Sequence, residues 1–163
     1  MATHSENTVT INHSVEKLHQ AYASKDYWTF IAENLSPEPG ELNELADGQA
    51  TLFEVLPLEF LPEAVHSMIK DALRLKRVVT FGNLGTGTFP LSYTADVKGT
   101  PASFEGTVKV TGNGETTTLD YDNETTVNIP FMGPAIEGKV GEYLDELFEN
   151  EAKLTDQWIS ENL

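Results

Sequence analysis

A chain of 163 residues with 26 acidic against 10 basic side chains carries a formal charge of −16, which repels nucleic-acid phosphates and anionic lipid headgroups. The absence of cysteine excludes disulfides, thiolate metal sites and thiol nucleophiles. The length suits a single domain, residues 1–163, around one core, and no apolar run reaches the roughly 18 residues of a membrane span.

The opening, Met1 to Thr8, is polar and lacks the basic-then-apolar order of a secretion signal. A cytoplasmic protein with no integral membrane association is expected. Without such a signal the sequons at Asn12, Asn34 and Asn123 are read as chance.

Thr8 to Ser14 alternates, with Val9 and Ile11 on one face, and predicts a first strand. Ser14 caps a helix from Val15 to Ala23, whose residues Val15, Leu18, Ala21 and Tyr22 recur at helical spacing. Ser24 caps a second short helix carrying Tyr27, Trp28, Phe30 and Ile31. Turn chemistry from Leu35 to Gly40 ends it. Glu41 to Ala46 and Ala50 to Leu56 flank Asp47-Gly48, a hairpin signal. Pro62 to Asp71 opens on a helix-start proline and carries Val65, Met68 and Ile69 on a narrow face. It is expected to be a short, mobile helix inserted between strands.

Leu73 to Phe81, Thr88 to Val97, Ala102 to Thr111 and Thr116 to Ile129 read as four further strands joined by glycine-bearing turns. Ala102, Phe104, Gly106, Val108 and Val110 alternate with polar residues, the pattern of a sheet wet on one side. Leu119, Tyr121, Val127 and Ile129 share one face of the last strand, and Asp120, Asp122 and Glu124 the other. Gly133 to Asn162 then forms one long helix with an apolar stripe through Ile136, Val140, Tyr143, Leu144, Leu147, Phe148, Leu154 and Trp158, and Glu and Asp on its other face. Gly138 and Gly141 weaken its first turns unless a close approach is wanted.

The order strand, two small helices, six strands and one long C-terminal helix resembles the helix-grip fold of the START, birch-allergen and polyketide-cyclase-like (SRPBCC) superfamily. His13-Ser-Val-Glu-Lys17 with Tyr27-Trp28, and Ile129-Pro-Phe-Met-Gly133 running into Ile136-Glu-Gly-Lys-Val140, are similar to a bacterial branch catalogued as a domain of unknown function. The resemblance implies an α+β fold, with a curved antiparallel seven-stranded sheet wrapped around the long C-terminal helix. Two small helices follow strand 1, and a short one lies between strands 3 and 4. The resemblance also implies a cavity, but it carries over no catalytic residue, and fold alone does not assign an activity.

Phe89, Leu91, Tyr93, Phe104 and Tyr121 on the sheet, with Val140, Tyr143 and Leu147 on the helix, are the candidate lining of a site for an apolar ligand. The competing expectation is a filled core. Arg77 falls by alternation on the inward face with Leu75, Val79 and Phe81. An inward guanidinium must be paired, either with a ligand's carboxylate or phosphate or with a carboxylate of the protein itself.

His4, His13, His19 and His66 show no metal spacing; His13 is a candidate inward base beside Val9 and Ile11. The ladder Asp120, Asp122, Glu124 reads as solvated. Gly82 to Gly87 precedes a strand rather than a helix and is a hairpin turn, not a phosphate loop. No Gly-X-Ser-X-Gly elbow occurs.

The leading expectation is a binder, with neither cofactor nor metal, of an apolar or amphipathic small molecule of lipid, isoprenoid or polyketide-like kind. A packed interior would overturn it. A cyclase- or dehydratase-like enzyme using Tyr93, Tyr121 or His13 is one alternative, and an acidic module engaging a basic protein partner is the other.

Overall fold

The computed structural model describes residues 2–35, 39–56, 73–97, 102–127 and 133–163, with the side chains of Ala2, Leu56, Leu73 and residues 133–140 excepted. Seven strands form one antiparallel sheet: β1 (Ala2–Ile11), β2 (Glu41–Ala46), β3 (Gln49–Leu56), β4 (Leu73–Phe81), β5 (Leu91–Val97), β6 (Ala102–Asn113) and β7 (Thr116–Val127). Their spatial order is β1-β7-β6-β5-β4-β3-β2, a meander whose first strand closes onto the last. Helices α1 (Val15–Tyr22) and α2 (Lys25–Asn34) follow β1, and α3 (Gly133–Asn162) closes the chain. This is the helix-grip arrangement anticipated above. The expected helix Pro62–Asp71 and the Ile129–Met132 motif lie outside the described residues.

Local chemistry accounts for the turns. Asp47 and Gly48 have φ of 52° and 75°, the doubly positive geometry of a tight hairpin whose twist matches its flanking strands. Ser14 accepts a hydrogen bond from the Lys17 amide at 3.4 Å and caps α1. Ser24 precedes α2 without a side-chain cap.

Alternation places Leu75, Arg77 and Val79 of β4, Ala50, Leu52 and Glu54 of β3, and Leu91, Tyr93, Ala95 and Val97 of β5 on the buried face. On β7 that face holds Thr117, Leu119, Tyr121, Asn123, Thr125 and Val127, while Asp122 and Glu124 are exposed. The backbone of α3 runs nearest to β1 and β7 and also meets α2. Across β4 and β5, therefore, long side chains such as Arg77, Tyr93 and Phe148 fill the gap between sheet and helix.

Two strands start some residues away from the expected position. β1 starts at Ala2, not Thr8, and pairs with β7 along its whole length. β5 starts at Leu91, not Thr88, because Pro90 has no amide to give to the ladder; its carbonyl accepts from the Gly82 amide at 2.9 Å, and Phe89 is buried in the preceding loop. At Gly141 an added Cβ would meet nothing within 4 Å, so no close approach explains that glycine.

Candidate functional site

Arg77 is central to the interior. It is 2 % exposed, and two equally buried carboxylates hold it: Glu54 of β3 and Glu151 of α3, at 1 % and 6 %. Its Nε donates to Glu54 Oε1 at 2.8 Å and its Nη1 to Glu151 Oε2 at 2.6 Å. Of the two pairings that an inward arginine allowed, the intramolecular one occupies these two nitrogens.

Burial opposes the charge on Arg77, but the two carboxylates outweigh it and hold the guanidinium protonated above its ordinary range. Burial pushes the Glu54 carboxyl up, against the pull of Arg77 and with repulsion from Glu151. One guanidinium against two carboxylates leaves the cluster one negative charge in excess when both acids are ionised.

Three buried side-chain atoms among the described residues make no hydrogen bond: Arg77 Nη2, Glu54 Oε2 and Ser5 Oγ. A buried donor or acceptor left unpaired costs about 1–3 kcal/mol, more when charged. Such atoms in a folded interior call for a partner. Arg77 and Glu151 also border a cavity with Tyr22, Tyr93, Tyr121 and Phe148, whose wall is completed by Val79, Leu91, Ser92 and Val108. The free space there is about 10 Å³, room for about one water molecule.

A second polar feature joins the same wall. The Tyr93 hydroxyl donates to Asn123 Oδ1 at 2.5 Å, and Asn123 Nδ2 donates to Asn7 Oδ1 at 2.5 Å. Asn7 Nδ2 donates in turn to the carboxylate of Asp145 on α3. Gly106 makes the first link possible. It lies opposite both Tyr93 and Asn123 in the ladder, and a Cβ there would come within 2.6 Å of the tyrosine ring and 2.8 Å of Asn123 Oδ1. Tyr93 and Asn123 are two strand spacings apart, about 9.6 Å, and the ring spans that distance across the bare glycine.

Burial raises the Tyr22, Tyr93, Tyr121 and Tyr143 phenols above the ordinary range, so they stay protonated through the physiological range. Tyr121 stacks on Phe148 at 3.9 Å and 12°.

Of the candidate lining, Arg77, Leu91, Tyr93 and Tyr121 meet at this cavity. Phe89 packs instead against Tyr22 and His19, and Phe104 lies behind Tyr93 at 6.3 Å. Tyr143 and Leu147 are buried on α3, and the Val140 side chain lies outside the described residues.

His13 does not face the cavity. Its Nε2 meets the Asp156 carbonyl and the Ser160 hydroxyl, each at 3.1 Å, beside the last turns of α3. It is no candidate base for chemistry at Tyr93. Tyr22, Glu54 and Glu151 were not anticipated from the sequence. Glu151 sits inside the apolar stripe rather than on the acidic face, three residues past Phe148 and four past Leu147. Glu54 continues the inward alternation of Ala50 and Leu52. Position, not residue type, was the signal in both cases.

On the outer face, Thr8 donates to Asp120 at 2.9 Å and His4 pairs with Asp122. The exposed trio His4, Glu6 and Asp122 has ligand atoms within 4.8 Å of one another. Solvated acids of this kind are ordinary on an acidic surface. Among the described residues, no helix is long and apolar enough to cross a membrane.

Comparison with known proteins places this geometry. Residues 6–159 match the family described as "Protein of unknown function (DUF2505)". "Uncharacterized protein Rv0481c" of Mycobacterium tuberculosis (strain ATCC 25618 / H37Rv) is 26 % identical, over 92 % of each chain. Among solved structures, the Zhui aromatase/cyclase from Streptomyces sp. R1128 superposes with a TM-score of 0.66 at 10 % identity, over 98 % of this chain and 94 % of that one. A START superfamily protein from Mycobacterium smegmatis superposes with a TM-score of 0.55 at 14 % identity, over 98 % and 99 %. These identities speak for the fold alone. The chain belongs to the DUF2505 family of proteins of unknown function and has the START-like helix-grip fold.

Proposed function

We propose that this protein binds an apolar or amphipathic small molecule, of lipid, isoprenoid or polyketide-like kind, between the sheet and α3. One observation carries the reading: a fully buried, charged Arg77 with an unpaired Nη2 borders a cavity walled by Tyr22, Tyr93 and Tyr121. A core selected for stability alone gains from replacing such an ion cluster with apolar side chains of similar volume. A polar centre among aromatic walls is instead the usual make-up of a ligand site.

The cavity's 10 Å³ is far below a ligand's volume, so a bound molecule takes the place of side chains. Phe148 and Tyr121, stacked on each other in the cavity wall, are the side chains that give way. Burial drives the exchange at about 0.8 kcal/mol per methylene.

Turnover is the second reading, suggested by likeness of fold to an aromatase/cyclase. Of the acid–base candidates named for it, Tyr93 and Tyr121 border the cavity and His13 does not.

The test is extraction of the freshly purified protein with organic solvent after denaturation, followed by mass spectrometry. A stoichiometric apolar compound that is lost in Arg77→Met supports the reading. An empty extract from native lysate, with no uptake of added apolar compounds, overturns it.

A further inference from the structure

The hydrogen-bond chain behind Tyr93 has a direction, and its last member sets it. A carboxylate only accepts hydrogen bonds. Asp145 is exposed on α3 and presents its carboxylate to Asn7, so Asn7 must turn its amide nitrogen outward and its oxygen inward. Asn123 must then give its nitrogen to Asn7 and keep its oxygen for Tyr93, the arrangement observed. The single hydroxyl hydrogen of Tyr93 is thereby committed to Asn123. Whatever approaches the Tyr93 oxygen from the cavity has to bring its own hydrogen.

Arg77, on the neighbouring strand and bordering the same cavity, offers the opposite. A guanidinium has donors only, and Nη2 is the nitrogen that neither glutamate occupies. Tyr93 and Arg77 both border the cavity and so bring to it a committed acceptor and a spare donor, beside the Tyr22 and Tyr121 hydroxyls, which turn either way. One neutral group satisfies both through one atom: a hydroxyl, which donates to Tyr93 and accepts from Arg77. A carboxylate or phosphate head does not, because it brings no hydrogen to Tyr93 and meets the excess negative charge of Glu54 and Glu151.

Resting on the binding function proposed above, we infer that the site selects neutral alcohols or phenols over ethers and over anions. Asp145 is the positioning residue that imposes this choice from the protein surface. Gly106 supports the inference, since a bare backbone at that point on β6 serves the Tyr93–Asn123 link directly.

Three probes of one ring system test it: 1-naphthol, 1-methoxynaphthalene and 1-naphthoate, titrated calorimetrically into the full chain. In the wild type, 1-naphthol binds about tenfold more tightly than either of the others, the effect of one hydrogen bond that is made or left unmade. Asp145→Asn lets the chain run in either direction, which frees the Tyr93 hydrogen and shrinks the naphthol-to-methoxynaphthalene ratio to about twofold. Glu149→Gln, an equal change of charge at an exposed neighbouring position of α3, leaves the ratio unchanged.

Side-chain amide NMR provides a readout without ligand, in which the Asn123 resonances move in Asp145→Asn and stay in place in Glu149→Gln. Equal or tighter binding of the ether or the anion by the wild type overturns the inference, as does a ratio untouched by Asp145→Asn. If no probe binds although the solvent extract holds an apolar compound, the selectivity falls and the binding function stands; if the extract is empty as well, both fall. The Asn123 resonances then decide separately whether Asp145 orients the chain.

Discussion

Two parts of the same interior are built on opposite plans. Where α1 and α2 meet the sheet, Tyr22, Tyr27, Trp28, Phe81 and Phe89 pack ring against ring at 4.9–5.9 Å, and the polar atoms of Trp28 and Tyr27 are answered. The Trp28 indole donates to the Tyr22 carbonyl at 2.7 Å, and Tyr27 meets Thr155 at 2.8 Å. One layer further, between β3, β4 and α3, an ion cluster leaves Nη2 of Arg77 and Oε2 of Glu54 unanswered. The first region is a finished core. The second has the composition of a site, and Tyr22 belongs to both.

The comparison breaks most visibly under truncation. Trp28→Ala costs about 3–5 kcal/mol through the cavity it leaves, and no change of charge elsewhere restores it. Arg77→Met costs a similar 3–5 kcal/mol or so, because it strands two buried carboxylates. That loss is largely recovered by adding Glu54→Gln and Glu151→Gln. Urea unfolding of the single and combined variants checks both statements, and failure of the glutamines to rescue Arg77→Met would place that region with the ordinary core.

A smaller effect sharpens the contrast on the sheet. Gly106→Ala pushes a methyl group into the Tyr93 ring and Asn123 and costs about 1–3 kcal/mol by overpacking. It also disturbs the Asn123 amide resonances.

The smallest effect is one of pH. Because the folded state holds the Glu54 carboxyl above its ordinary range, the folded chain binds that proton more strongly than the unfolded chain. This contribution to stability is greatest at low pH and fades as pH rises from the ordinary carboxylate value to the raised one. Glu54→Gln keeps an acceptor for Arg77 Nε and removes the excess charge, so it gains about 1 kcal/mol relative to wild type at neutral pH and flattens this part of the profile. Thermal melts of both proteins across the acid range measure it; a variant equally destabilised at every pH would contradict the sign.

Much of the fold was legible because apolar alternation marks a half-wet sheet strand by strand, from Leu75 and Val79 to Leu119 and Tyr121. The first half of β1 was not, because Ser5 and Asn7 take its inward positions and no apolar residue reveals the period. The start of β5 was overextended across Pro90. The site was half legible. The inward position of Arg77 follows from alternation, yet its partner Glu54 was passed over and Glu151 was counted with the acidic face of the helix, although both stand in register with buried apolar neighbours. Asn123 and Asn7 escaped for the same reason. A buried polar network is written in the positions of polar residues on apolar faces, and reading the apolar residues alone passes over it.

On the proposed reading the ion cluster serves a ligand rather than the fold. Calorimetric titration of 1-naphthol into the triple variant Glu54→Met, Arg77→Met, Glu151→Met decides between the two. If the cluster serves a ligand, the variant is folded and at least as stable as the wild type, with affinity reduced about tenfold or more; unchanged affinity refutes that role.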